Sequence, residues 1–260
     1  MINSIINIGE HYFHIETDSL KMFNTMIDDF ASLNHQNIKP DMYINIHDGF
    51  GEAFQNYDVT IEKDENFITY RRADYLIQID SNYKYAEVFV HAELALQHAL
   101  LNLYSSFIVH INWGLLIHSS CVIDNGKGHI FSGHSGAGKS TAAKLSHPRS
   151  LLSDEATLVK ISPKEIIIYD SPFRSEIKKS GNELLTSLGS IQLLKQSLQN
   201  KRTILKKADA LLQLIDKVFF WTNDSIESKQ IIQLLQLLVQ NVPVYELQFQ
   251  KNDTFWELIS

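Results

Sequence analysis

The 260-residue sequence predicts an α/β fold built round a phosphate-binding loop, preceded by a small α+β region. Three observations predict it. Strand-like and helix-like stretches alternate after residue 110. Residues 133–141 read Gly-His-Ser-Gly-Ala-Gly-Lys-Ser-Thr and fit G-x-x-x-x-G-K-[ST]. That pattern lies between the apolar, β-favouring His129-Ile130-Phe131 and a helix-compatible run, Ser140–Leu145, which stops near Pro148.

The elements follow in order. Ser4–Ile8 and Tyr12–Ile15 read as short strands around Gly9-Glu10. A helix capped by Thr17 or Asp18 is expected to run to about Leu33, with Leu20, Phe23, Met26, Ile27 and Phe30 on one face. Met42–Ile46 alternates like a strand. Phe67–Tyr70, Tyr75–Ile79 and Ala86–Val90 read as a meander, with Arg71 and Arg72 at a solvated hairpin edge, the alternative being that one of them touches an anionic ligand. From His91 to about Val109 the pattern is helical and apolar nearly all round, so this helix is expected to be buried. A strand over Leu115–Ile123 then turns at Asp124-Asn125-Gly126-Lys127. After the loop come a short strand, 150–153, and a hairpin of Thr157–Ile161 with Ile166–Tyr169. Strands are expected at Ile191–Leu194, Val218–Trp221 and Val242–Phe249, and helices at Asp209–Asp216 and from Asp224 to about Gln240. A soft boundary near residue 90 separates a small α+β region, 1–90, from a nucleotide-binding core, 91–260.

The loop's residue types explain its spacing. Glycines let the backbone curl so that successive N–H groups of Gly133, Ser135, Gly136, Ala137 and Gly138 point inward at phosphate oxygens. A following helix start, at Lys139, Ser140 and Thr141, adds partial positive charge. Lys139 reaches β- and γ-phosphates, and the Ser140 hydroxyl is suited to Mg²⁺. Mechanism needs a second acidic group, and Asp154-Glu155 closes a strand shortly after the loop. The alternative for that pair is a helix cap or turn.

Composition narrows the class. A net charge of −7 argues against non-specific nucleic-acid binding. No apolar stretch is long enough to span a bilayer, and the N-terminus lacks a signal-peptide pattern, so no membrane partner is expected. The single cysteine, Cys121, lies in an apolar run and fits a reducing, cytoplasmic setting. No HExxH or CxxC spacing points to a resident transition metal.

Leu115-Leu116-Ile117-His118-Ser119-Ser120, the loop 131–141 and Leu151-Leu152-Ser153-Asp154-Glu155 together resemble the HPr kinase/phosphorylase superfamily. That group includes kinase-like enzymes of lasso-peptide clusters and is distantly related to phosphoenolpyruvate carboxykinase. The C-terminal Val242-Pro243-Val244-Tyr245-Glu246-Leu247 through Phe255-Trp256-Glu257-Leu258 is similar to the smaller, peptide-modifying branch. The resemblance implies a P-loop kinase core with a mixed sheet, ATP as donor, Mg²⁺, and a serine of a protein or ribosomally made peptide as acceptor. By the same analogy it implies a homo-oligomer. It gives His118 a place near the transferred phosphoryl group, the alternative being a core imidazole bonded to backbone. Asp154 and Glu155 match the family's acidic pair, one of them the general base and Asp154 also near metal. The family's second Asp is Glu here, and which acid is the base stays open. Glu176 resembles a further Mg²⁺-linked acid, against a plain surface glutamate. Arg174 and Arg202 are candidates to neutralise phosphoryl charge, against solvated loop charges. Residues 1–90 are a candidate acceptor-recognition module. Two other classes stay open: a non-catalytic nucleotide-binding regulator or scaffold, and a small-molecule hydroxyl kinase. Phosphorylase and carboxykinase reactions are further chemistries for the same site.

Overall fold

A computed structural model describes residues 1–33, 38–175, 185–221 and 224–260. The chain divides into two compact units, Met1–His110 with Trp221–Ser225, and Ile111–Phe220 with Ile226–Ser260. Both are mixed α/β in character. Among the described residues no helix is long and apolar enough to cross a membrane.

The first unit contains β1 (Ile2–Ile8), β2 (His11–Thr17), α1 (Leu20–Asp29), β3 (Ala31–Leu33), β4 (Met42–Asp48), β5 (Thr60–Lys63), β6 (Phe67–Arg72), β7 (Tyr75–Asp80), β8 (Tyr85–Val90) and α2 (Glu93–His110). Among the described residues its strands run in the order β3-β1-β2-β4-β8-β7-β6-β5. The β2–β4 and β4–β8 pairs are parallel and the others antiparallel. Period-two alternation sends Phe13, Ile15, Met42, Ile44, Ile46, Val88 and Val90 inward. The helix α2 packs on β7 and β8 and is buried along most of its length, as its all-round apolar pattern predicts.

Two expectations for this unit are corrected. The first helix ends at Asp29 and does not reach Leu33, because Phe30 is extended and the chain then pairs with Ile5–Asn7 as β3. Its cap is Ser19, whose hydroxyl accepts the Met22 N–H. Met22, Met26 and Phe30 form the buried face, while Leu20 is 61% exposed. The second correction is Arg72, which is buried and not solvated: its guanidinium forms a two-pronged ion pair with the Asp74 carboxylate.

The second unit contains β9 (Gly114–Asp124), β10 (Lys127–Ser132), α3 (Lys139–Leu145), β11 (Leu151–Ser153), β12 (Ala156–Ile161), β13 (Ile166–Tyr169), β14 (Leu185–Gln196), β15 (Lys201–Ile204), α4 (Lys207–Leu214), α5 (Ser225–Asn241) and β16 (Val244–Phe249). Short 3-10 turns cover Ile215–Lys217 and Asp253–Leu258. Asn125 and Gly126, both at positive φ, make the tight β9–β10 turn. β10 is antiparallel to β9 and parallel to β14. The pairings β10–β9–β12–β13–β14–β10 therefore close a ring of five strands, with β16 and β15 continuing from β14. The expected strand Val218–Trp221 is reduced to one bridge, Val218 opposite Ile117.

Candidate phosphate-binding site

The loop between β10 and α3 takes its shape from glycine. Gly136 and Gly138 have φ of 77° and 108°, the left-handed region that side chains avoid. A Cβ on Gly138 would meet Phe249 Cζ at 2.7 Å, so the backbone here rests directly on an aromatic ring. The Ala137 N–H donates to His134 O (3.0 Å), and Gln196 Nε2 to Gly136 O (2.7 Å). Beneath lies an apolar cluster that includes Phe131, Ala137, Ala142, Phe249, Phe255 and Trp256. Trp256 Nε1 donates to Ser146 Oγ (3.0 Å) at the far end of α3. The C-terminal aromatic pair is thus part of the apolar cluster that the loop and α3 pack on.

Lys139 is 8% exposed. Its Nζ donates to the carbonyls of its own loop, Gly133 O at 3.3 Å and His134 O at 3.5 Å. Burial lowers its pKa, with Glu155 opposing and Lys217 reinforcing that shift through charge. Ser135, Gly136 and Ser140 are exposed, while Gly133 and Ala137 are buried and Thr141 half-buried.

β9 runs beside the loop and carries His118. Ser120 Oγ donates to Lys139 O (3.1 Å), and Ser132 Oγ to His118 O (2.7 Å). On β9's other side, Ser119 Oγ lies 2.7 Å from Thr157 Oγ1, and Ser153 Oγ 2.5 Å from the same atom. This buried chain of hydroxyls ties β9, β11 and β12 together at the β11–β12 turn, which carries the two acids. Glu155 is half-exposed, and its Oε1 lies 3.3 Å from His118 Nε2. Asp154 is 2% exposed; its Oδ1 accepts the Ser175 N–H (3.2 Å) and its Oδ2 the Ser175 hydroxyl (3.2 Å).

Lys217 escaped the sequence reading. The Ile117–Val218 bridge and the bond from Phe219 N–H to Leu116 O (2.9 Å) set an antiparallel register. That register brings Lys217, the last residue of the 3-10 turn, across from His118. The Phe219 ring packs 5.3 Å from the His118 ring. Lys217 Nζ is paired with the adjacent Asp216 carboxylate at 2.6 Å. The apolar run after Lys217 was a strand signal, but only the pairing partner reveals what the lysine faces.

The remaining candidates lie differently. Arg174 bonds Ser171 O (2.9 Å), Leu152 O (3.1 Å) and the Asp170 carboxylate, pinning the 170–174 segment to β11. Arg202 bonds Gln192 Oε1 (3.0 Å), Leu258 O (2.8 Å) and Ser190 Oγ (3.2 Å), and lies over the Tyr245 ring. Both guanidiniums are engaged in the frame around the loop. Glu176 lies outside the described residues. Cys121 is buried, and burial pushes its thiol pKa far up, which makes it inert at neutral pH. Among the described residues no three His, Cys, Asp or Glu side chains are grouped to hold a metal.

Residues 91–260 match the family described as SynChlorMet cassette protein ScmC. No curated protein matches. Among solved structures the chain is similar to the Hpr(Ser) kinase/phosphatase from Coxiella burnetii, at 9% identity and a TM-score of 0.29, over 55% of this chain and 90% of that one. A likeness that distant decides nothing about chemistry.

Proposed function

The chain belongs to the SynChlorMet cassette protein ScmC family, and on that footing we propose that its second unit is a Mg·ATP-dependent phosphotransferase of the HPr-kinase kind. The acceptor is a serine hydroxyl of a protein or ribosomally made peptide. One observation carries this reading: the buried Lys139 ammonium rests on two carbonyls of a glycine-curled loop at 3.3 and 3.5 Å. A buried cation held only by long bonds to neutral oxygens is costly, and a polyphosphate that supplies counter-charge removes that cost.

The roles follow from position. Backbone N–H groups of the 133–140 loop bind the β- and γ-phosphates, and Lys139 turns its Nζ from the loop carbonyls to them. Lys217, across from His118, adds a second positive charge to the site. Glu155 holds the His118 ring toward the phosphoryl group. Asp154 is the better candidate for the base, because its Oδ2 already accepts a serine hydroxyl; it takes the proton as the acceptor oxygen attacks. The Ser140 hydroxyl and the Asp154 and Glu176 carboxylates are hard oxygen donors that fit Mg²⁺, which when bound neutralises phosphate charge. Catalysis on this reading is positioning and electrostatics.

The test is transfer of label from [γ-³²P]ATP, with Mg²⁺, to serine-containing peptides. Lys139→Ala is expected to lower transfer by about 10²–10³-fold, and an Asp154/Glu155 double alanine to abolish it. Undiminished transfer by Lys139→Ala overturns the proposal.

A further inference from the structure

The serines that frame the loop from β9, β10 and β11 contrast with Ser175. Ser119, Ser120, Ser132 and Ser153 are buried and bonded within the frame. Ser175 is exposed, yet both its N–H and its hydroxyl point at one carboxylate, that of Asp154. Its position is held from behind. Ser171 N–H bonds Leu152 O (3.2 Å), Ala156 N–H bonds Phe173 O (3.4 Å), and Phe173 is buried. Arg174 fastens the same segment to Leu152 O and to Asp170.

Asp154 itself follows Ser153, which pairs with Cys121 of β9. One residue before Cys121, the Ser120 hydroxyl holds the Lys139 carbonyl. The turn that carries Asp154 lies within electrostatic reach of the phosphate-loop lysine, since the charge of the next residue, Glu155, acts on Lys139. A hydroxyl donating to a carboxylate beside such a loop is in the state that precedes phosphoryl transfer.

We propose that Ser175 is an acceptor within the chain: the protein phosphorylates its own Ser175. The inference rests on the phosphotransferase reading above. In the step, Ser175 Oγ forms a bond to the γ-phosphorus, and the bond from that phosphorus to the β,γ-bridging oxygen breaks. ADP leaves, and the hydroxyl proton passes to the Asp154 carboxylate. The product carries a phosphate beside Asp154, and once Asp154 has passed its proton to solvent the two negative charges repel. The modified serine is thereby driven off the acid, which opens Asp154 to acceptors from outside.

The experiment incubates the full chain with ATP and Mg²⁺, maps the phosphoryl group by peptide mass spectrometry, and measures ATP affinity by calorimetry on the same sample. The expected result is one phosphoryl group on Ser175, added at a rate independent of protein concentration. It should be absent in Lys139→Ala and in Ser175→Ala and retained in Ser175→Thr. Protein that binds ATP and leaves Ser175 unmodified overturns the self-acceptor proposal while sparing the nucleotide site. Protein that does not bind ATP overturns both.

Discussion

The two units bury charge in opposite ways. In the first, Arg72 and Asp74 meet through two bonds, Nε to Oδ1 at 2.6 Å and Nη2 to Oδ2 at 2.9 Å. The guanidinium lies 4.9 Å from the Phe54 ring and 4.4 Å from the Tyr75 ring. Every face of that cation has a partner, and the pair is complete. In the second unit Lys139 is buried almost as deeply, but its bonds go to carbonyls at 3.3 and 3.5 Å. Burial pulls its pKa down, whereas a complete ion pair would hold it up. A buried charge that is fully answered belongs to the fold. One that is half answered marks a place where something else is expected to bind.

That contrast can be broken by mutation. The largest effect is expected for Asp74→Ala, which leaves the buried Arg72 guanidinium without its counter-charge and should cost about 3–5 kcal/mol in denaturant unfolding. Next comes Lys217→Met, which removes the cation opposite His118; kcat should fall about 10²-fold with KM for the peptide little changed, and Lys217→Arg should restore most of it. Gly138→Ala forces a side chain into a left-handed backbone against Phe249, and a loss of about 1–3 kcal/mol is expected in thermal unfolding. The smallest effect is the most telling. Lys139→Met should leave stability unchanged or raise it by about 1 kcal/mol. If it destabilises as much as Asp74→Ala does, the two buried charges are alike and the contrast fails.

Local chemistry made much of the second unit readable in advance. Asn125-Gly126 announces the β9–β10 turn, and the glycines with Lys139 announce the loop; in the first unit the apolar run from His91 to about Val109 announces α2. His118 and Glu155 lie far apart in sequence, and their pairing at 3.3 Å follows from the β9–β12 register. What was misread depends on partners that the local sequence does not contain. Residues 31–33 continue a helical pattern, yet β1 offers a free edge and draws them into a strand. Arg72 looks like any hairpin-edge arginine until Asp74 and two aromatic rings close round it. Thr60–Lys63 gives too weak a strand signal to be seen without β6 beside it. Lys217 went unnoticed because its neighbour across the sheet is a hundred residues away in the chain.

The closed ring of five strands has a consequence for the order of assembly. The β9–β10 hairpin is local and can form early, since its turn is two residues long. Its outer edge waits for β14, whose residues Ser187 to Leu193 come about sixty positions later than their partners Lys127 to Ser132. β14 also supplies Gln196, which holds the Gly136 carbonyl, and Leu194 of the apolar cluster beneath the loop. The shape of the loop is therefore a property of the finished circuit. A nascent chain that has already made every glycine of the loop, and Lys139 with them, has the letters of the site before it has the hand.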